Sequence, residues 1–105
     1  MNEKETAAVS KFKSLVTKKV SLRDLRVFGS RARGEAKPSS DLDVFVVVDY
    51  LDMDTKKYIT DCAWEAGFPE DILIVPVVLT TNQLVESPIR ESAFIKNIQK
   101  EGIPS

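Results

Sequence analysis

The stretch 42-LDVFVVV-48 constrains the fold more than any other part of this 105-residue chain. Its Leu, Phe and Val residues form strands readily, yet the run lacks the apolar–polar alternation of a half-exposed strand. Such a strand needs cover on both faces, so it lies inside a sheet with helices packed on it. Two carboxylates, Asp41 and Asp43, stand at its start, twelve and fourteen residues after the glycine of a Gly29-Ser30 pair. Acids at the mouth of a buried strand carry a desolvation cost, and their position asks for a chemical reason.

Periodicity organises the rest. Residues 4–19 read as an amphipathic helix with Ala8, Val9, Phe12, Leu15 and Val16 on one stripe. The run 25-LRVFGS-30 is a short strand ending at Gly29-Ser30. The segment 31-RARGEA-36 can form a brief helical turn, and 37-KPSS-40 carries turn chemistry. After 49-DYLDMD-54 a second helix is expected through about Gly67, with Asp54 as N-cap and Gly67 as stop. Its stripe is Tyr58, Ile59, Cys62, Ala63 and Ala66. The next strand is 71-DILIVPVVLT-80, where Pro76 cannot donate a ladder hydrogen bond and so predicts an edge position or a bulge. A final helical section comprises 81-TNQLVE-86 and a helix that starts at Ser87-Pro88 and stops at Gly102. This order describes one α+β (two-layer α/β) domain over residues 1–105, a small mixed β-sheet with helices packed on it.

Charge and residue usage narrow the function classes. Fifteen Lys and Arg against sixteen Asp and Glu give a net charge of −1, which argues against non-specific coating of nucleic acid. Seven basic residues lie between Lys18 and Lys37, and nine acids between Asp41 and Asp71, a distribution that two solvated faces would also produce. With no histidine, a His-based triad, a His general base and a His-ligated zinc site are excluded. The single Cys62 excludes an intramolecular disulfide and reads as a small core hydrophobe. No apolar run approaches a membrane span, and 1-MNEKETAAVS-10 lacks the apolar segment of a signal peptide. A soluble cytoplasmic protein with no membrane partner is the expectation.

Strand alternation projects Asp41 and Asp43 to the same side, roughly 6–7 Å apart along the strand. Paired carboxylate oxygens suit hard divalent cations, and magnesium completes its shell with water and substrate phosphates. Two ions held in this way can activate an attacking oxygen and neutralise leaving phosphates. Gly29 allows close approach of backbone to an anion, while the Ser30 hydroxyl and the N–H groups after it can hold phosphate oxygens. Arg31 and Arg33 add positive charge directly behind. Each feature alone has an ordinary reading: a solvated start of a strand, a turn, surface charges. Together they place phosphate donors and metal-binding acids on adjacent ends of one sheet, an arrangement suited to a nucleoside triphosphate.

The segment GSRARGEAKPSSDLDVFVVV resembles the signature of the DNA polymerase beta-like nucleotidyltransferases: a Gly-Ser pair, a connecting stretch (here ten residues), then Asp-x-Asp on an apolar strand. Within that superfamily the chain is similar to the minimal nucleotidyltransferases of prokaryotes. The resemblance is strong over residues 25–48 and consistent through the rest. It implies a polymerase beta palm-like fold and transfer of a nucleoside monophosphate, with AMP from ATP expected, to an acceptor hydroxyl. Pyrophosphate would leave, and two Mg2+ ions would serve as cofactors. By the same resemblance Gly29 and Ser30 hold the triphosphate with help from Arg33, and Asp41 and Asp43 hold the metals. Minimal nucleotidyltransferases are often paired with a small helical HEPN protein, the transferase acting as antitoxin by adenylylating the HEPN toxin. Such a partner is implied here, and oligomerisation stays open.

One part of the family pattern lacks an obvious counterpart. Active members carry a third carboxylate on the next strand, usually in a pattern such as Val-Asp-Leu-Val, which readies the acceptor hydroxyl. Matching the strand exit VVLTTNQL places Val77 at that position. Asp71, the only acid in 71-DILIVPVVLT-80, shares the strand parity of Val77 but lies six residues away, roughly 20 Å at strand rise. It serves as third acid only if another alignment or a bulge at Pro76 moves it. Two functions therefore compete. One is an active magnesium-dependent nucleotidyltransferase. The other is a catalytically weak or inactive module that neutralises a helical partner by complex formation, with Ile89, Ala93, Phe94 and Ile98 facing that partner instead of this protein's own sheet. Nucleic-acid processing through the basic segment 18–37 is disfavoured by the net charge of −1.

Overall fold

The computed structural model describes residues 1–34, 41–86 and 92–105. Helix α1 (Glu3–Thr17) opens on a capping box in which the Asn2 side chain accepts from the Glu5 N–H and the Glu5 carboxylate accepts from the Asn2 N–H, both at 2.8 Å. Strand β1 (Leu22–Phe28) follows and lies antiparallel to β2 (Leu42–Val48). Helix α2 (Met53–Gly67) crosses over to β3 (Ile74–Thr80), which can therefore run parallel to β2. After α3 (Thr81–Glu86) and α4 (Ala93–Glu101), the two-residue β4 (Ile103–Pro104) pairs antiparallel with β1. The sheet order is β3-β2-β1-β4, a mixed sheet carrying helices, which is the α+β architecture expected.

The inner position of β2 explains its continuous apolar run. Leu42, Val44, Val46 and Val48 pack with Phe12 and Val16 of α1 and with Ile59, Cys62 and Ala63 of α2. Phe45 and Val47 point to the opposite face and pack with Leu79 of β3 and with Ile95 and Ile98 of α4. Every apolar residue of β2 is at most 2% exposed. Each such side chain contributes about 1.5–3 kcal/mol through burial, so neither face can be given up to solvent.

Boundaries differ from expectation where hydrogen bonding decides between similar residues. Asp52, not Asp54, caps α2: its carboxylate accepts from the Thr55 N–H at 2.7 Å, and Asp54 falls in the first turn. Gly67 ends the helix as expected, but a 3-10 turn over Phe68–Glu70 follows, and β3 begins at Ile74 instead of Asp71. Pro76 lies on an edge strand opposite Val44, where its missing N–H is tolerated. The expected helix start at Ser87-Pro88, together with Ile89, lies outside the described residues. Helix α4 is capped by the Ser92 hydroxyl, which accepts from the Ile95 N–H at 3.2 Å, and Gly102 stops it. Among the described residues, no helix is long and apolar enough to cross a membrane.

Candidate active site

At Asp43, strand β2 passes from solvent into the core. Asp41 is exposed and Asp43 half-buried. The Leu42 N–H donates to the Leu73 carbonyl at 2.8 Å, so backbone pairing holds the chain right up to the acid pair. Asp43 is flanked by Phe28 of β1 on one side and Val75 of β3 on the other. By alternation it shares the sheet face of Phe45 and Val47.

Gly29 directly follows β1 and lies against this carboxylate. Its φ is +80°, and a Cβ placed on it would stand 2.5 Å from Asp43 Oδ2. The left-handed backbone and the close approach both require glycine. The Gly29-Ser30 turn and the acid pair are thus one contiguous site. The turn continues with the Arg33 N–H donating to the Gly29 carbonyl at 3.2 Å and the Gly34 N–H donating to the Arg31 carbonyl at 3.3 Å. A Gly29→Ala variant is expected to lose about 1–3 kcal/mol from strain at this φ. A urea midpoint equal to that of the native protein would contradict the need for glycine here.

Burial, and after it the Asp41 charge, hold the Asp43 carboxyl above the ordinary carboxylate range. An acid pair of this kind has an ionisation cost that a hard divalent cation removes, so the donor set fits magnesium. Among the described residues, no group of three or more His, Cys, Asp or Glu side chains comes together.

Arg31 and Arg33 separate into different environments. Arg33 is exposed. The Arg31 side chain is only 7% exposed, and its Nη1 donates to Glu5 Oε2 at 3.1 Å, with the Glu5 side chain equally buried. Glu5 therefore completes the α1 capping box and also anchors the turn that carries Gly29-Ser30. Burial alone would raise the Glu5 carboxyl, but the Asn2 N–H and the Arg31 guanidinium outweigh it and hold the group below its usual range. A folded-state pKa lower than the unfolded one adds stability above the unfolded value, about 4.3, and loses it as pH falls through the folded value. Glu5→Ala is expected to cost about 2 kcal/mol at neutral pH, less than for a deeply buried pair. It should also flatten the acid limb of the stability profile. Identical acid limbs for the two proteins in urea titrations would contradict this role. No local pattern in the sequence couples residues 5 and 31; only the spacing of Asn2 and Glu5 hints at the cap.

A sequence profile of the nucleotidyltransferase domain family matches residues 9–104, nearly the whole chain. The chain belongs to the nucleotidyltransferase domain family. No curated protein matches it at a significant level. Among solved structures, this nucleotidyltransferase domain is similar to one described as a toxin–antitoxin with AMP-PNP. That likeness has a TM-score of 0.60 and 17% identity, covering 95% of this chain and 70% of the other. It is also similar to a Sulfolobus solfataricus protein assigned as a nucleotidyltransferase, with a TM-score of 0.47 and 16% identity over 99% of this chain and 87% of the other. At such identities the first likeness speaks for the fold, and the second is too loose to carry an argument. The nucleotidyltransferase family expected from GSRARGEAKPSSDLDVFVVV and the α+β fold both stand.

The register of the nucleotidyltransferase domain shows which β3 residue lies opposite the buried acid. Val77 lies opposite Phe45, two positions along the same sheet face from the residue that pairs with Asp43, and packs against the cluster under α4. The β3 residue that flanks Asp43 is Val75, two positions earlier. Asp71 is exposed, adopts a left-handed φ of 55° after the 3-10 turn, and precedes the strand. It is not brought into a cluster with Asp41 and Asp43.

Proposed function

We propose that this nucleotidyltransferase domain transfers AMP from ATP to an acceptor hydroxyl in a magnesium-dependent reaction. The acceptor oxygen bonds to the α-phosphorus, the α–β phosphoanhydride bond breaks, and pyrophosphate leaves. The contact between Gly29 and Asp43 Oδ2 carries the proposal, because it joins a phosphate-holding turn to a pair of metal-holding acids. In this reading Gly29 and Ser30 hold the triphosphate, Arg33 adds positive charge, and Asp41 and Asp43 hold the magnesium–nucleotide. Bound magnesium, two ions in the family pattern, would neutralise the phosphates and polarise the reacting oxygens. Transfer of this kind depends mainly on positioning and charge neutralisation, so two carboxylates support a working site. With Val75 where a third acid would stand, turnover is expected to be slow.

The acceptor we propose is a helical HEPN-type toxin, which this chain would inactivate as its antitoxin. The resemblance to minimal nucleotidyltransferases supports it, as does the likeness in fold to a toxin–antitoxin crystallised with AMP-PNP. A nucleic-acid acceptor is less suited. Arg23, Arg26 and Arg31 of the basic segment are ion-paired with Asp49, Asp24 and Glu5 at 2.7, 2.8 and 3.1 Å. A second reading, neutralisation of the partner by complex formation alone, draws on the apolar residue at position 75. Calorimetry with ATP tests the site itself. The native protein should bind ATP in a magnesium-dependent way, and a variant carrying Asp41→Asn and Asp43→Asn should not. Equal binding by both proteins, with and without magnesium, would overturn the proposal.

A further inference from the structure

We infer that the cavity between the Gly29 turn and α4 receives the nucleoside of the triphosphate, its base against Phe94 and its polar groups at Asn97 and Glu101. The inference rests on the nucleotide site proposed above and assigns the part of the ligand that the phosphate turn and the acids leave unaccounted for. The cavity measures about 270 Å³ and is lined by Phe28, Gly29, Arg33, Phe94, Asn97 and Glu101, among others. It opens on Gly29, the residue packed against Asp43, and so continues directly from the phosphate end of the site. Its size lies just under the usual range for small-molecule pockets, suited to a nucleoside and too small for a longer chain.

Residues of both charges line the cavity. The Gly29 turn contributes Arg33, and α4 contributes Glu101. A carboxylate repels phosphate but accepts hydrogen bonds from ribose hydroxyls or a base amino group. Asn97 both donates and accepts, as the edge of a base requires. The walls supply the aromatic component. Phe28 and Phe94 meet edge to face, with centroids 5.6 Å apart and planes at 86°. Phe94 nevertheless stays 51% exposed, leaving ring area on which a base can stack.

Helix geometry separates these residues from the core. Ile95 and Ile98 hold α4 on the sheet through the cluster with Phe45 and Val47. Phe94, Asn97 and Glu101, at i, i+3 and i+7, form the neighbouring stripe, of which Phe94 touches β1 through Phe28 and keeps half its surface open. The stripe faces the cavity at the one point where β1 hands over to the phosphate turn.

Calorimetry on the full chain with two probes, ATP and inorganic tripolyphosphate, each with magnesium, tests the assignment. The native protein should bind ATP at least tenfold more tightly than tripolyphosphate. Phe94→Ala and Asn97→Ala should each weaken ATP about tenfold, in line with the loss of one stacked base or its polar contacts. Both should leave tripolyphosphate binding unchanged, which also reports that the variants are folded. If the variants weaken neither probe, or both probes equally, the nucleoside pocket is overturned while the phosphate–metal site stands. If the native protein binds neither probe, the nucleotide site itself fails and this inference falls with it.

Discussion

Asp43→Asn should reduce nucleotide transfer by about a thousandfold or more, the scale of losing a metal-held charge at the reacting phosphates. The same change should leave the metal-free protein at least as stable as the native one. Burial and the Asp41 charge raise the Asp43 carboxyl, so the folded state binds its proton more tightly than the unfolded chain does. Between the ordinary carboxylate value and the raised folded one, the unfolded chain therefore holds fewer protons, and native stability falls as pH rises. Asparagine carries no charge, so the variant lacks this slope and avoids the cost at neutral pH. Denaturation midpoints in a chelator and transfer rates in magnesium measure the two effects separately. A variant that keeps transfer but loses metal-free stability would mean that Asp43 is a structural residue. Opposed effects on activity and stability are what a site held ready for a cation should produce.

Val75→Asp should raise magnesium affinity by about thirtyfold, because the parallel register places this residue directly beside Asp43. A unit charge about 4 Å away interacts at roughly 4 kcal/mol at a surface-like dielectric, and repulsion among the acids leaves about half of that as net gain. Val75 is only half-buried, so the aspartate needs no new cavity, though the metal-free protein should be less stable with three acids together. Val77→Asp provides the contrast. It places a charge against the cluster of Phe45, Ile95 and Ile98 and should destabilise the fold without helping the metal. Magnesium titrations of the two variants read the register directly. Tighter binding by the position-77 variant than by the position-75 variant would show that the strands pair two residues out of step.

These contrasts mark where local sequence ceases to determine the site. The unbroken apolar run of β2 announced cover on both faces, and the two clusters under α1–α2 and α4 supply it. The Gly-Ser turn and Asp-x-Asp could be read as neighbours because one antiparallel pairing brings the end of β1 to the start of β2. Which β3 residue lies opposite Asp43 could not be fixed this way. It depends on a parallel register across a crossover helix, and a shift of two residues leaves side-chain parity unchanged. Asp52 and Asp54 satisfy the same capping preference, and only the hydrogen bond to Thr55 decides between them. The Glu5–Arg31 anchor joins residues distant in sequence, and β4 is too short for any period to announce it. Phe94 was legible only as an apolar position of the last helix, and Asn97 and Glu101 hid behind the stronger signal of the isoleucines that seat α4.

The most direct test incubates the protein with α-labelled ATP, magnesium and the protein encoded beside its gene. Label should appear on the partner with release of pyrophosphate, slowly for the native protein and not at all for the Asp43→Asn variant. An unlabelled partner, with ATP bound by the native protein, would contradict the transferase and leave a nucleotide-binding module in its place.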